Sequence, residues 1–204
     1  MSAAVSGLEA AAGQPELGEA RERRLRRWVA ALALLPTPLW FVGAVLLDRG
    51  PAWRAEYHAG QELAGPGAVL SERRLSRQWD RLERDVPGGF DVASFSARFD
   101  TCLQLSEQRE LPFLLVATGA ASFSIDGQEQ LRLEASAERR TLGKSIQLAP
   151  GTHHLRVEFS ARGWSGIGLY ASFDGRAPVA VPPERGDAGA RWFQARPGAE
   201  PCSR

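Results

Sequence analysis

The chain has 204 residues, 44% of them hydrophobic, with 25 basic and 24 acidic side chains and a formal net charge of +1. That length supports one medium domain with a buried core plus one apolar span, and little else. Near-neutrality removes the electrostatic ground for a nucleic-acid partner. The absence of a G-x-S-x-G elbow, an H-E-x-x-H motif and a glycine-rich phosphate loop from the sequence predicts a non-enzyme.

Residues 1–20 are rich in Ala, Gly and Glu with no aromatic and no sustained apolar period, so residues 1–27 read as a disordered cytoplasmic tail. Residues 28–47 (WVAALALLPTPLWFVGAVLL) carry no charge. At ~1.5 Å per residue they span roughly 30 Å of bilayer, so the lipid bilayer is the first expected partner. Pro36 and Pro38 predict a kink, which a membrane helix tolerates. Trp28 stands where an interfacial anchor would, or is one more apolar residue.

Arg21, Arg23, Arg24, Arg26 and Arg27 precede the segment and only Arg49 and Arg54 closely follow it, a bias that keeps the N-terminus inside and residues 50–204 outside. Cleaved signal peptides have cores of about 7 to 15 residues and a small-x-small cleavage site. The stretch Leu46-Leu-Asp-Arg-Gly-Pro51 offers no such site, so an uncleaved signal anchor in the cytoplasmic (inner) membrane is expected, with the outer part periplasmic or extracellular.

Trp53 to Tyr57 reads as a first strand. Leu75, Trp79, Leu82 and Val86 recur at helical spacing and predict one short amphipathic helix between Leu70 and Val86. Its Arg73, Arg77, Arg81 and Arg84 interleave with Glu72, Asp80, Glu83 and Asp85, the pattern of a solvated face. Strand alternation then appears in Phe95 to Leu103, in Phe113, Leu115 and Ala117, and in Ala121, Phe123 and Ile125. Asp126-Gly127 tolerates the positive φ of a tight primed turn and predicts a hairpin returning through Gln130 to Leu133. Ser145 to Leu148 and Leu155 to Phe159 bracket Ala149-Pro-Gly-Thr152 and read as a second hairpin. Ile167, Leu169, Ala171 and Phe173 lead into Asp174-Gly175. Short strands separated by turn signals argue for an all-β antiparallel sandwich or barrel. Residues 176–204 hold five of the thirteen prolines and read as an extended tail packed on the domain.

In this order the phrases resemble the PA14 domain family, named after the anthrax protective antigen. Phe95-Ser-Ala-Arg-Phe99 is similar to the family's F-S-x-R-W strand, and residues 112–115 to a weakened G-x-Y-x-F. Ser124-Ile-Asp-Gly127 resembles Y-I-D-G, and Leu148-Ala-Pro-Gly-Thr-His-His-Leu-Arg-Val-Glu-Phe159 resembles L-x-x-G-x-H-x-I-R-V-E-Y. The likeness runs from about Trp53 to Gly175 and sets the expected domain at residues 50–175. It implies a β-barrel or sandwich that in several relatives binds carbohydrate through calcium held by two adjacent aspartates shortly before the I-D-G turn. Counted back from Asp126, those positions are Thr118 and Gly119, and calcium needs six to eight oxygens, usually with several carboxylates. No calcium, and no other cofactor, is therefore expected.

His153 and His154 are adjacent, so on a strand they point to opposite faces and do not chelate one ion; no metal site is expected. Trp164, in a glycine-flanked loop, is either an exposed platform for a sugar ring or an aromatic buried at the end of the domain. Trp164, Arg162, Asp126 and Thr118 are the candidate ligand contacts. Cys102 and Cys202 would both lie outside the cytoplasm, where pairing is favoured. The sequence thus predicts a non-catalytic binding module anchored in a bacterial envelope, recognising envelope carbohydrate or a partner protein. The alternative is a docking subunit of a larger membrane complex that has lost sugar binding.

Overall fold

The computed structural model describes residues 53–79, 85–86, 88–161, 163–173, 175–183, 189–198 and 201–202. The expected tail and membrane segment of residues 1–47 lie outside these. Among the described residues no helix is long and apolar enough to cross a membrane.

The described residues within Gly50–Arg204 form an all-β unit with antiparallel pairing throughout. Its strands are β1 (Trp53–His58), β2 (Gly67–Glu72), β3 (Ser76–Trp79), β4 (Asp85–Val86), β5 (Phe90–Asp91), β6 (Ser96–Leu105), β7 (Arg109–Thr118), β8 (Ala120–Ile125), β9 (Gln128–Leu133), β10 (Arg140–Leu148), β11 (Gly151–Ser160), β12 (Ser165–Ala171), β13 (Val179–Ala180) and β14 (Ala190–Gln194). One sheet runs β2-β1-β6-β11-β8-β9, with β14 also on β6; the other runs β10-β7-β12-β13, with β3 also on β12; β4 and β5 form a small ribbon. The architecture is a sandwich whose interior is filled by alternate residues of both sheets.

Among the described residues of 70–86 the expected helix is absent. Strands β2 and β3 are separated by a bend at 73–75, and Leu75 in the bend and Trp79 in β3 are buried core residues. A spacing of four satisfies a helical stripe, but it is also an even number and satisfies a strand face. Trp79 stacks on Phe159 at 5.6 Å and meets Phe95 edge-on at 4.8 Å, contacts that decide the matter in favour of the sheet. Leu82, and the side chain of Val86, fall outside the described residues.

Asp126-Gly127 does close a hairpin between β8 and β9, with φ of 52° and 78°. The second expected hairpin is not one. Strand β10 pairs with β7, whereas β11 pairs with β6 and β8, so residues 149–150 cross from one sheet to the other. Ile146 and Leu148 therefore reach the same interior as Leu155 and Val157 from the opposite sheet. The C-terminal stretch is built into both sheets. Buried Val181 accepts hydrogen bonds from Trp53 Nε1 at 2.7 Å and from Leu75 N at 3.0 Å, and its own N–H donates to Leu169 O at 2.9 Å.

The outer face of the first sheet is an ionic lattice. Register places Arg54 and Arg156 on either side of Asp100, and Glu56 and Glu158 on either side of Arg98. Arg98 bonds Glu158 at 3.3 Å and Glu56 at 3.6 Å, Arg54 pairs with Glu56, and Arg156 Nε donates to Asp100 Oδ1 at 2.8 Å. His154 Nε2 reaches the same oxygen at 2.8 Å. Burial alone would push the Asp100 carboxyl up, but the bonds from His154 and Arg156 outweigh it and hold the group below the usual carboxylate range. On the inner face Tyr57 donates to the Glu72 carboxylate at 3.0 Å, and burial followed by that charge raises the phenol far above its ordinary range, so it stays a donor.

Cys102 on β6 is joined to Cys202, closing a sequence separation of 100. Cys102→Ser should lower unfolding free energy by up to about 4.7 kcal/mol, the chain-entropy value for a loop near that size. Urea titration of the oxidised protein and the variant measures it, and coincident curves would contradict it. Asp100→Asn should cost about 1–3 kcal/mol at neutral pH. Because the folded-state pKa is depressed, this contribution is present above the unfolded carboxyl's ~3.9 and vanishes as pH falls through the folded value. The stability gap between the two proteins should therefore close on acidification; a constant gap would contradict the assignment.

Candidate binding groove

Strand β12 reads Ser-Gly-Ile-Gly-Leu-Tyr-Ala. Its odd positions, Ile167, Leu169 and Ala171, enter the core with Leu115 and Ala117 of β7. The outward positions begin with two glycines. Gly166 lies opposite Thr118 of β7 and Gln78 of β3, and Gly168 lies opposite Val116 and Ser76. A glycine in a strand leaves a gap in the side-chain carpet, and two in the same row leave a trough.

Two adjoining cavities of about 450 and 430 Å³ occupy that trough and share Gln78, Thr118, Arg139 and Gly166. At one end Ser76 Oγ and Tyr170 OH are 3.0 Å apart, and the Tyr170 ring covers Gly168 so closely that a Cβ there would stand 2.7 Å from Cε2. At the other end Trp164 is 65% exposed beside Arg139, Thr118 and Ser165. Ser165 is buried, and its Oγ has no hydrogen-bond partner among the described residues. Convergent hydroxyls, an amide, a guanidinium and an exposed indole around a concavity are the makings of a small polar-ligand site.

The structure brings two of the four expected contacts together: Thr118 and Trp164 line the same cleft. Arg162 lies outside the described residues. Asp126 is not among the groove's lining residues, and its carboxylate is engaged elsewhere. One oxygen accepts from His154 N at 2.8 Å and the other lies 2.7 Å from His153 Nδ1. His153 Nε2 faces Ala149 O at 2.9 Å, so the two turns of the domain are tied through one imidazole. Ser76, Gln78, Ser165, Tyr170 and Arg139 were not singled out from sequence. The signal for them was the Gly-x-Gly in β12, whose floor they surround.

Thr118 and Gly119 do not fit a hard cation. Thr118 offers one hydroxyl, and Gly119 sits at φ +121°, where an added Cβ would stand 2.7 Å from Ser160 O. No group of three or more His, Cys, Asp or Glu among the described residues is placed to hold a metal.

No family model matches the chain, and no curated protein matches it in sequence. Solved structures do match in fold. An anti-sigma factor domain-containing protein aligns at TM-score 0.61 and 13% identity over 72% of this chain, which spans half of that protein's length. The PA14 sugar-binding domain from an RTX adhesin aligns at TM-score 0.52 and 13% identity, covering 65% of this chain and 95% of that domain. The PA14 domain of the antifreeze protein MpAFP aligns at 0.54 and 11%, covering 72% and 93%. The fold is a PA14-like β-sandwich.

Gly119→Asp, which supplies one family carboxylate, should destabilise the domain by about 1–3 kcal/mol through left-handed backbone strain, before any clash is counted. Thermal melting with and without calcium checks this. An unchanged midpoint, or a rise on adding calcium, would contradict the reading of this position.

Proposed function

We propose that this chain is a non-catalytic, extracytoplasmic binding module that takes carbohydrate in the groove between Tyr170 and Trp164, without calcium. The observation that carries it is the exposed indole of Trp164 at one end of a concavity lined by hydroxyl and amide groups. An aromatic face takes the apolar face of a sugar ring while nearby polar groups orient its hydroxyls. The PA14 sugar-binding domain of the adhesin supports the same reading by fold alone. In this proposal residues 28–47 anchor the module in the inner membrane of a bacterium, with the basic residues before them inside.

One observation favours the docking-subunit reading. Strand β2 ends the first sheet and exposes Val69 and Leu70 beside Arg54, Gln194 and Arg196. An exposed apolar sheet edge is a place where another chain can add a strand.

A glycan-array screen of the compact unit Gly50–Arg204, repeated with calcium and with chelator, separates the two. Carbohydrate binding that survives chelation and weakens at least tenfold in Trp164→Ala, about 1.4 kcal/mol, is expected. Binding abolished by chelator would contradict the calcium-independent groove, and no binding to any glycan would leave the docking role.

A further inference from the structure

We infer, resting on the groove as the carbohydrate site, that its ligand is an acidic saccharide whose carboxylate or sulfate ester pairs with Arg139. Both cavities are lined by Arg139, and among the described residues neither is lined by an Asp or Glu. Arg77, the other guanidinium lining the groove among the described residues, is held by the Glu72 carboxylate at 2.9 Å. Arg139 differs: it is exposed, and among the described residues it has neither an ion pair nor a hydrogen-bond partner. The guanidiniums on the outer face of the first sheet, by contrast, are answered, Arg54, Arg98 and Arg156 lying against Glu56, Asp100 and Glu158.

The exposed indole of Trp164 stands in the same cleft as Arg139. An acidic sugar ring supplies what the two groups lack together: an apolar face for the indole and an oxyanion that a guanidinium binds in a fork. A neutral sugar would leave the guanidinium unanswered.

Titration calorimetry on the full chain in mild detergent at low salt tests this with three probes: tetragalacturonate, its fully methyl-esterified form, and a sulfated galactan tetrasaccharide. The free acid or the sulfated probe, or both, should bind at least tenfold more tightly than the neutral ester. The preference should collapse in Arg139→Gln and shrink with added salt. Whichever anionic probe wins identifies carboxylate or sulfate as the recognised group. Near-ultraviolet circular dichroism of the variant controls for folding, since Arg139 is a surface residue. Equal binding of acid, sulfate and ester would overturn the acidic preference while the carbohydrate groove stands. Failure of all three, unaltered by Trp164→Ala, would overturn the groove and the preference with it.

Discussion

Strand β6 is the constraint on which the rest depends. It carries β11 along one edge, and β1 followed by β14 along the other, so every element of the first sheet takes its register directly or indirectly from it. Its two faces do different work. Ala97, Phe99, Leu103 and Leu105 point into the core. Arg98 and Asp100 are the centre of the ionic lattice, and Cys102 fastens the C-terminus. A slip of one residue would bury the charges and expose the aromatics, so the register is specified from both sides at once. Each exposed ion pair in such a lattice contributes little alone. Asp100 is the exception, because it is buried and doubly bonded, and removing a partner leaves an unanswered charge.

Much of this register was legible in the sequence. Arg54-Ala-Glu56, Arg98-Phe-Asp100 and Arg156-Val-Glu158 repeat one phrase, basic, apolar, acidic. When such strands pair antiparallel, each basic end meets an acidic one. The Asp126-Gly127 hairpin was legible for a different reason, since few residue pairs accept two positive φ values in succession. Two other expectations failed for identifiable causes. The step of four from Leu75 to Trp79 is compatible with both periods, and only tertiary contacts of Trp79 choose between them. The phrases on either side of Ala149-Pro150 look like hairpin arms, because local pattern cannot distinguish strands that pair side by side from strands that face each other across a sandwich.

The groove was the least legible part, and the reason is physical. Thr118 and Trp164 stood out as residues, but the site is made by side chains that are missing. Gly166 and Gly168 fall on the same face of β12 only once the strand's inward set is known. Gln78 and Ser76 reach that face only because β3 pairs with β12 across a long stretch of sequence. The departure at Gly119 belongs to the same logic. Its backbone conformation and its closeness to Ser160 O exclude the carboxylate on which a calcium-dependent site would rely. In its place the outer face of the second sheet offers an exposed indole and a guanidinium that has no partner among the described residues.

The most direct measurement is a two-dimensional amide and indole NMR map of the unit Gly50–Arg204 titrated, in chelator, with a saccharide that it binds. The account predicts that the Trp164 indole Nε1–H, the Gln78 side-chain amide and the backbone of Gly166 and Gly168 shift first and furthest. Shifts centred instead on Asp126, or on Val69 and Leu70, would contradict the groove as the place where ligand is taken.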